Sequence, residues 1–428
     1  MIKKIKYVIK KFLPDFIFDV VKTIKIYLYS KNEFKLTNFY SNQFKEKNKN
    51  NKVVLVFLIY MPEVWNSLKS VYETASKDER FITYLIAQPI ISNRINSGFE
   101  NPAYDYLHSI YTEVISAYDG TDWINLENYK PDYVFYTRPY ETEYYKDYRA
   151  NNVRKFAKVC LIPYGYEYIL GDIWEITHNV NFIKSTSIFF NGNISSMEKM
   201  KKRYYFPYKK KYLQLVYCGF PRFDLINRKN VLSIPNRVCV MWTPRWTLPN
   251  DRVQIESGFM KYIKDFLDFI NSSNNIFLII RPHPLMFDNY IENGIMSENE
   301  VTRFKQFCSE STNIQLDEKS DYLESIKQAD IFVTDFSSLL AEFFVTGKPI
   351  IYCDSSKNYT VEGAAMNNCI YHAENWKDIR LELGKLILGN DDLEESRKSM
   401  IKQITPFEEG EVSINILRYI YIDYTDYS

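Results

Sequence analysis

The stretch DIFVTDFSSLLAEFFVTGKPIIY, residues 330–352, decides the fold prediction for this chain of 428 residues. A short apolar run at 331–333 predicts a buried strand, and apolar residues at core-facing helical spacing follow it. Gly347 ends this helix, and Pro349 precedes a second β-branched run. The order of strand, turn, helix and strand is typical of a parallel α/β sheet.

Two adjacent hydroxyls, Ser337 and Ser338, stand at the predicted start of this helix, after Thr334 and Asp335. The first N–H groups of a helix have no intrahelical partners, and the helix dipole is positive there. The turn can therefore hold an anion such as a phosphate. Serine is also a preferred helix cap, so a purely structural role is the alternative. We expect Asp335 to order the loop by accepting backbone N–H groups.

A second motif, Arg-Pro-His-Pro at 281–284, follows the apolar run 276–280, which predicts another buried strand. The prolines end that strand and stiffen its exit loop. Because ligands bind at the carboxyl edge of open parallel sheets, Arg281 and His283 should lie near the two serines. Arginine suits phosphate, and histidine transfers protons near neutral pH. The chain has only four histidines, so we favour a functional site over an ordinary surface loop.

The overall composition is that of a soluble globular protein with two domains and appendages, at 46% apolar and 25% charged residues. A net charge of +1 gives no electrostatic case for nucleic acid. The six cysteines lack any C-x-x-C spacing, which predicts reduced thiols in a cytosolic protein. No apolar run is long enough to span a membrane, and no signal peptide is evident. Without a metal-ligand cluster, we expect a site that needs neither metal nor cofactor.

The first residues of the chain are strongly basic, with nine lysines among apolar residues in 1–35. They predict an amphipathic helix or helix pair, with a kink or a new start at Pro14. Such a segment can lie on an anionic membrane; packing against the protein is the alternative. Residues 42–52 are predicted to be a linker. A second group of basic and aromatic residues at 191–212 predicts another membrane-facing patch or a solvated loop.

Two successive α/β halves follow, which predict two Rossmann-like domains facing across a cleft. Further helices are predicted at 65–75, 259–270, 320–329, 376–389, 394–404 and 412–419. Further strands are predicted at 53–60, 81–87, 133–136, 160–162, 237–242, 313–316 and 368–372. We predict an N-terminal segment and linker (1–50), a first domain (51–230) and a second domain that includes the C-terminal helices (231–428).

These motifs resemble the CDP-glycerol glycerophosphotransferase family, the teichoic-acid and capsule polymerases with a GT-B fold. The family's Arg-x-His-Pro loop matches 281–284, and its Ser/Thr-Asp-x-Ser-Ser loop matches 334–338. The Lys-Pro-Ile-Ile-Tyr run at 348–352 and Gly-x-Pro-Arg-x-Asp at 219–224 match as well. The resemblance is most specific in the C-terminal half of the chain.

The resemblance implies a transferase that moves glycerol phosphate, or a related polyol phosphate, from a CDP-linked donor to a cell-surface polymer or glycan acceptor. Such an enzyme would be cytoplasmic and peripheral on the inner face of the cell membrane. The implied donor-binding residues are Thr243, Arg245, Thr334, Asp335, Ser337 and Ser338. The implied catalytic residues are His283, Arg281 and Glu167, and the acceptor-side residues are Arg138, Tyr164, Gly165 and Tyr166.

One departure concerns the family's His-Gly-Thr loop, whose histidine is thought to act on the acceptor hydroxyl. The corresponding place here is Tyr164-Gly165-Tyr166, and a neutral tyrosine is a poor base at pH 7. Glu167, Asp172 or His178 would take the role, or His283 would serve alone. The alternative functions are glycosyl transfer from a nucleotide sugar and a non-catalytic role as a membrane-associated nucleotide-binding subunit.

Overall fold

The computed structural model describes residues 15–47, 52–91, 100–168, 172–226, 234–248, 257–272, 275–335, 337–353, 359–408 and 410–426. The chain forms two compact units, each built on a parallel sheet. Unit 1 comprises Met1–Asp224 together with Gly410–Ser428, and unit 2 comprises Leu225–Glu409. The sequence predicted the end of the chain within the second domain, whereas the structure groups it with the first.

Unit 1 contains a seven-stranded sheet in the order β3-β2-β1-β4-β5-β6-β7, in which all neighbours run parallel. Its strands are β1 Val53–Ile59, β2 Phe81–Ala87, β3 Val114–Ser116, β4 Tyr133–Tyr136, β5 Lys158–Leu161, β6 Ile188–Asn191 and β7 Gln214–Tyr217. The central strands are buried along their whole length, because helices cover both faces of such a sheet. The strand order reverses between β1 and β4, which makes their carboxyl ends the topological switch point.

Unit 1 carries one very long helix and several short ones. The helices before the end of the chain are α1 Asp15–Lys47, α2 Lys69–Ala75, α3 Pro102–His108, α4 Ala150–Val153, α5 Asp172–Thr177, α6 Val180–Ile183, α7 Ile194–Arg203 and α8 Tyr205–Lys209. Short 3₁₀ turns lie at Pro62–Ser67, Leu126–Tyr129, Glu141–Glu143, Lys146–Tyr148 and Pro221–Leu225. For the basic stretch at 191–212 we predicted a membrane-facing patch or a solvated loop. The structure shows that it is largely helical and contains α7 and α8.

Helix α1 is docked along unit 1. Phe34 is fully buried, and the hydroxyl of Thr37 donates to the carbonyl oxygen of Lys184 at 2.9 Å. Arg154 forms an ion pair with Glu33 at 2.7 Å. The linker predicted at 42–52 is wrong as far as Lys47, because the helix continues to that residue. Residues 1–14, with the predicted kink at Pro14, lie outside the described residues.

Unit 2 contains a six-stranded parallel sheet in the order β10-β9-β8-β11-β12-β13. Its strands are β8 Val238–Thr243, β9 Ile276–Ile280, β10 Ile314–Leu316, β11 Ile331–Thr334, β12 Ile350–Tyr352 and β13 Tyr371–His372. Its helices are α9 Phe259–Asn271, α10 Met286–Glu292, α11 Glu298–Glu310, α12 Leu323–Gln328, α13 Leu339–Phe344, α14 Val361–Asn367, α15 Trp376–Ile387 and α16 Glu394–Ile404. The strand order reverses between β8 and β11, so the switch point of this sheet lies at their carboxyl ends.

The last helix, α17 Glu411–Thr425, returns to unit 1. The buried carboxylate of Asp423 accepts a hydrogen bond from the Tyr133 hydroxyl at 2.6 Å and pairs with the Lys158 ammonium at 2.5 Å. Asp224 accepts backbone N–H groups in the first turn of the helix, the shortest at 2.8 Å. These carboxylate contacts explain why the end of the chain belongs to unit 1.

Candidate functional site

Two hydrogen-bonded threonines lie at the switch point of unit 2. Thr243 ends β8, Thr334 ends β11, and the two residues are paired in register. The Thr243 hydroxyl donates to the Thr334 hydroxyl at 2.7 Å, and both residues are buried. These two predicted donor-binding residues therefore hold the strand ends together, which positions the loops that follow them.

Asp335 joins two of these loops. One oxygen of its buried carboxylate accepts the backbone N–H of Arg245 at 3.1 Å and that of Gly258 at 2.8 Å. A Cβ atom at position 258 would lie 2.8 Å from the other carboxylate oxygen, so this approach requires glycine. The carboxylate orders the loops through backbone N–H groups, as we expected from the sequence, and Gly258 is a residue that the sequence reading missed.

The two serines at the start of α13 differ in their surroundings. The Ser337 hydroxyl accepts the backbone N–H of Leu339 at 3.2 Å, which is a capping role. Ser338 is exposed, and its side chain makes no capping bond to the helix. Phe336, between them and Asp335, lies outside the described residues. Ser338 is thus the more exposed of the two serines, since Ser337 is partly buried.

Arg281 connects the exits of β9 and β10. Its guanidinium pairs with Asp317 at 2.6 Å and donates to the carbonyl oxygen of Lys319 at 2.6 Å. Asp317 is buried and also accepts the Ser325 hydroxyl at 2.5 Å. The resemblance implies a catalytic role for Arg281, and its observed bonds to Asp317 and Lys319 fix the position of the loop that carries His283.

His283 is held in one tautomer. Its Nδ1 accepts the backbone N–H of Leu285 at 3.2 Å, so the proton of the neutral ring is on Nε2. Desolvation by the surrounding protein, with a smaller contribution from the positive charge of Arg245, lowers the pKa of His283 to about 4. The imidazole is therefore neutral at pH 7. Because the residue is still reached by solvent, its Nε2–H group can donate to a ligand.

The three exit loops form one hydrogen-bonded cluster at the switch point. The backbone N–H of His283 donates to the carbonyl oxygen of Pro244 at 3.2 Å, and the next residue, Arg245, is bonded to Asp335. Residues 243–245, 281–283, 334–335 and 337–338 are therefore neighbours in space, although they are spread over almost a hundred positions of the sequence. We call these segments the loop cluster.

The switch point of unit 1 carries an arginine surrounded by tyrosines. The guanidinium of Arg138, which follows β4, pairs with Glu143 at 3.0 Å. The ring centres of Tyr60, Tyr140 and Tyr164 lie 5.9, 4.7 and 5.0 Å from it, within cation–π range. Burial raises the pKa of Tyr60 and that of Tyr140, so these phenols stay neutral at pH 7.

The loop after β5 divides its residues between core and surface. The backbone N–H of Tyr164 donates to the carbonyl oxygen of Thr137, at 3.1 Å, which joins the exits of β4 and β5. Tyr166 is buried against Phe220 and Phe223, with ring centres 5.7 and 5.3 Å away. The predicted acceptor-side role of Tyr166 therefore does not fit its position in the core. Gly165 lies between the two tyrosines and is partly exposed.

Two of the proposed substitutes for the missing histidine are paired with each other. Oε1 of Glu167 lies 2.9 Å from Nε2 of His178, which is completely buried. The third substitute, Asp172, begins α5, and its side chain lies outside the described part of the chain. The sequence analysis named both residues, but only the fold shows that they are neighbours.

Among the residues that the structure describes, no group of three or more His, Cys, Asp or Glu side chains is placed to hold a metal ion. In the same residues, no helix combines the length and the apolar character that crossing a membrane requires.

Two Rossmann-like α/β units in one chain, each built on a parallel sheet with a switch point, define the class of GT-B-like folds. The family of CDP-glycerol:poly(glycerophosphate) glycerophosphotransferases matches residues 176–422. The chain therefore belongs to this family, and it is a transferase. Among curated proteins, none matches the chain.

Solved structures with the same fold include the wall teichoic acid polymerase TagF, at 14% identity and a TM-score of 0.56. That match covers 97% of this chain and 99% of the TagF chain. A UDP-N-acetylglucosamine 2-epimerase from Listeria monocytogenes, described as putative, matches at 12% identity and a TM-score of 0.56. That match covers 88% of this chain and 97% of the epimerase chain. At these identities the likeness shows the GT-B-like fold alone.

Proposed function

We propose that this protein transfers glycerol phosphate, or a related polyol phosphate, from a CDP-linked donor to a cell-surface polymer or glycan acceptor. The observation that carries the proposal is the loop cluster, in which His283, Arg245 and Ser338 lie on segments bonded to one another at the switch point of unit 2. Family membership supports a CDP-linked donor. A soak of a TagF variant with CDPG is a further solved structure of the same fold, at 13% identity and a TM-score of 0.55.

The donor diphosphate would be held by hydrogen bonds and positive charge. Neutral His283 would donate Nε2–H to a phosphate oxygen, and exposed Ser338 would donate its hydroxyl. Arg245 would supply the charge that compensates the CMP leaving group. Phosphoryl transfer needs positioning and charge compensation more than covalent chemistry, which suits this set of side chains. Arg281 and Asp335 would act indirectly, by fixing the loops.

The acceptor would bind at the switch point of unit 1. Arg138 stands there with Tyr140 and Tyr164 against its guanidinium, and its buried Nε atom has no hydrogen-bond partner among the described residues. A cation beside phenolic donors suits a phosphate-containing polymer. We therefore propose Arg138 and Tyr164 as acceptor-binding residues.

The protein would work on the inner face of the cell membrane, held there by α1. Exposed apolar residues at Phe16, Val20, Ile24 and Leu28 follow one another at four-residue intervals on this helix. Lysines lie between them and beyond, and each can add up to about 1 kcal/mol at an anionic surface. The side of α1 that holds Phe34 is already packed on unit 1, so the exposed stripe is the part available to lipid.

A donor panel tests the proposed reaction. Purified protein is given CDP-glycerol, CDP-ribitol and UDP-linked sugars with a glycerol-phosphate primer, and the release of CMP or UDP is measured. We expect CMP release from the CDP-alcohols only. Release of UDP from a sugar donor would instead establish glycosyl transfer.

Matched variants test whether the reaction depends on the loop cluster. Ser338→Ala and His283→Ala should lower CMP release by about tenfold or more, because each removes a hydrogen bond to charged phosphate. Ser309→Ala, at an exposed serine on α11, is the control and should leave CMP release unchanged. Equal rates in all three variants would refute the assigned donor site.

A further inference from the structure

Three cations meet around one carboxylate where α1, α5 and α7 pack together in unit 1. Lys22 of α1 and Arg203 of α7 pair with the same oxygen of Glu175, at 3.0 and 2.8 Å. The ammonium of Lys199 lies 3.8 Å from the centre of the Trp174 ring, and the Arg203 guanidinium lies 5.3 Å from it. We call Lys22, Lys199 and Arg203, with Glu175 between them, the cationic notch.

The helices that carry the cationic notch are fixed to one another. Trp174 is buried, and its indole N–H donates to the Ser196 hydroxyl at 2.9 Å, which joins α5 to α7. The hydroxyl of Thr23 donates to the carbonyl oxygen of Lys202 at 2.7 Å, which joins α1 to α7. A ligand that binds between these helices therefore finds cations on a framework that is already ordered, and this lowers the entropic cost of binding.

The positive charge of the notch exceeds the negative charge around it. Within the described part of the chain, the Lys199 ammonium contacts an aromatic ring but has no ion-pair partner. Burial lowers the pKa of Lys199 below its ordinary value, and the attraction of Glu175 and Asp19 offsets this only in part. Nε of Arg203 is buried, and it has no hydrogen-bond partner among the described residues. Because a partly desolvated cation without a counter-ion is costly, an added anion would bind here favourably.

Exposed apolar side chains lie beside the notch. Ile176, which follows Glu175 on α5, is 57% exposed, and Val20, two residues before Lys22 on α1, is 52% exposed. Phe16 is exposed on the same helix. A ligand that fits this surface is therefore anionic at one end and apolar at the other. A phospholipid has this form, whereas a free phosphate would leave the apolar side chains in water.

We infer that the cationic notch binds the phosphate of an anionic phospholipid headgroup. This inference deepens the proposed function, because it rests on the membrane attachment proposed there for α1. Lys199 and Arg203 would donate charge-assisted hydrogen bonds to the phosphate oxygens. Val20 and Ile176 would contact the acyl chains. The notch is thus a defined site, which differs from the diffuse attraction between scattered lysines and an anionic surface.

Co-sedimentation of the full chain with phosphatidylglycerol vesicles tests the site. Lys199→Gln should weaken vesicle binding by roughly 10- to 100-fold, because it removes charge-assisted hydrogen bonds to phosphate. Lys202→Gln removes the same charge from an exposed position of the same helix, and it should weaken binding by about fivefold at most, the diffuse contribution of one lysine. Equal weakening by the two variants would overturn the inference.

A second variant tests the site in the opposite direction and does not depend on the folding of the first. Glu175→Gln removes the carboxylate that competes with a phosphate for Lys22 and Arg203, so vesicle binding should tighten severalfold. Glu198→Gln removes the same charge from an exposed residue of α7 that pairs with Lys201, and it should change binding less. Exposed ion pairs contribute little to stability, so both variants should keep the wild-type Tm. Weaker vesicle binding by folded Glu175→Gln would overturn the inference.

Titration calorimetry with inorganic phosphate distinguishes a lipid from a free anion. We expect the affinity of the wild type for inorganic phosphate to be about tenfold or more below that for phosphatidylglycerol vesicles, because the acyl chains add buried apolar surface. An affinity for inorganic phosphate that equals the affinity for the vesicles would overturn the assignment of a lipid.

Vesicle binding and CMP release separate this inference from the proposed function. If the wild type does not sediment with the vesicles, the proposed membrane attachment and this inference both fail, whereas CMP release still decides the reaction. If the wild type sediments and Lys199→Gln binds as tightly as Lys202→Gln, the inference about the notch fails and the attachment by α1 stands.

Discussion

Replacement of Gly258 by alanine tests whether Asp335 organises the loop cluster. The change adds one methyl group and removes no group that would touch a ligand. In the structure, the new Cβ would lie 2.8 Å from one Asp335 carboxylate oxygen and 3.1 Å from a ring carbon of Tyr262. The backbone at position 258 has φ −75°, which alanine adopts without strain, so the clash with the carboxylate is the main effect.

The magnitude follows from the bonds that the carboxylate would lose. Asp335 accepts two backbone N–H groups, and a hydrogen bond to a charged group contributes about 1.5–3 kcal/mol. Partial loss of both bonds predicts destabilisation by about 2–4 kcal/mol. For a unit of this size, each kcal/mol lowers Tm by about 2–4 °C, so the expected fall is about 5–15 °C.

The assay is thermal unfolding together with titration of CDP-glycerol. Gly258→Ala should lower both Tm and donor affinity, since Asp335 is bonded to the loop that carries Arg245. Gly384→Ala is the matched control: this glycine lies inside α15, and no atom would stand within 4 Å of the new Cβ. Alanine is favoured in a helix interior by about 1 kcal/mol, so the control should gain stability. Identical behaviour of the two variants would refute the role of Asp335.

Three further predictions concern pH, the C-terminal helix and the membrane. The pKa of His283 is about 4, below its ordinary value, so the unfolded chain binds the extra proton first as pH falls from about 6.5 to 4. Folding stability should therefore fall through this window, and His283→Asn should flatten the fall of Tm, whereas an unchanged slope would contradict the lowered pKa. Asp423→Ala should destabilise unit 1 by about 3–5 kcal/mol in chemical unfolding, because it leaves the Lys158 ammonium buried without its ion-pair partner. A loss of stability below about 1 kcal/mol would show that α17 is not fixed by this carboxylate. The double variant Val20→Asp, Ile24→Asp should reduce co-sedimentation with phosphatidylglycerol vesicles. The control Leu381→Asp, at an exposed residue of unit 2, should not reduce it. Equal binding by the wild type and both variants would reject α1 as the anchor. Substitution is preferable to truncation of α1 here, because Phe34 is fully buried in unit 1.

The strands that the sequence predicted best are largely apolar runs, most of whose residues are buried. Residues 81–87, 133–136 and 276–280 were predicted with the bounds that the structure shows. Such runs carry a strong local signal, because a parallel sheet covered on both sides needs apolar residues at every position. The short strands β3 and β7, which are only partly buried, gave no such signal and were missed. Strand β6 was missed too, although its four residues are all buried, because a run of four is too short to indicate a strand by itself.

Among the helices, a local signal was sometimes present and overlooked. Helix α11 begins with a capping box in which Ser297 and Glu300 bond each other's backbone N–H groups, and this pattern is visible in the sequence. The assignment of α17 to unit 1 is different, because it depends on the contact of Asp423 with Lys158, 265 residues away. No periodicity in the sequence reports a contact of that range.

The candidate site was predictable in its segments but less so in the roles of its residues. The motifs at 281–284 and 334–338 indicated which loops to examine, since strand exits in a parallel sheet share one edge. The contacts of these side chains were not predictable. Asp317 forms an ion pair with Arg281, and Tyr166 packs against Phe220 and Phe223 in the core. A side chain's role depends on such neighbours, which only the folded chain brings together.

The most direct test of the donor site is a crystal structure of the protein with CDP-glycerol bound. We predict that the diphosphate lies at the carboxyl ends of β8 and β11, with phosphate oxygens within hydrogen-bond distance of His283 Nε2 and the Ser338 hydroxyl. A diphosphate bound elsewhere, with both of these groups facing water, would contradict the account.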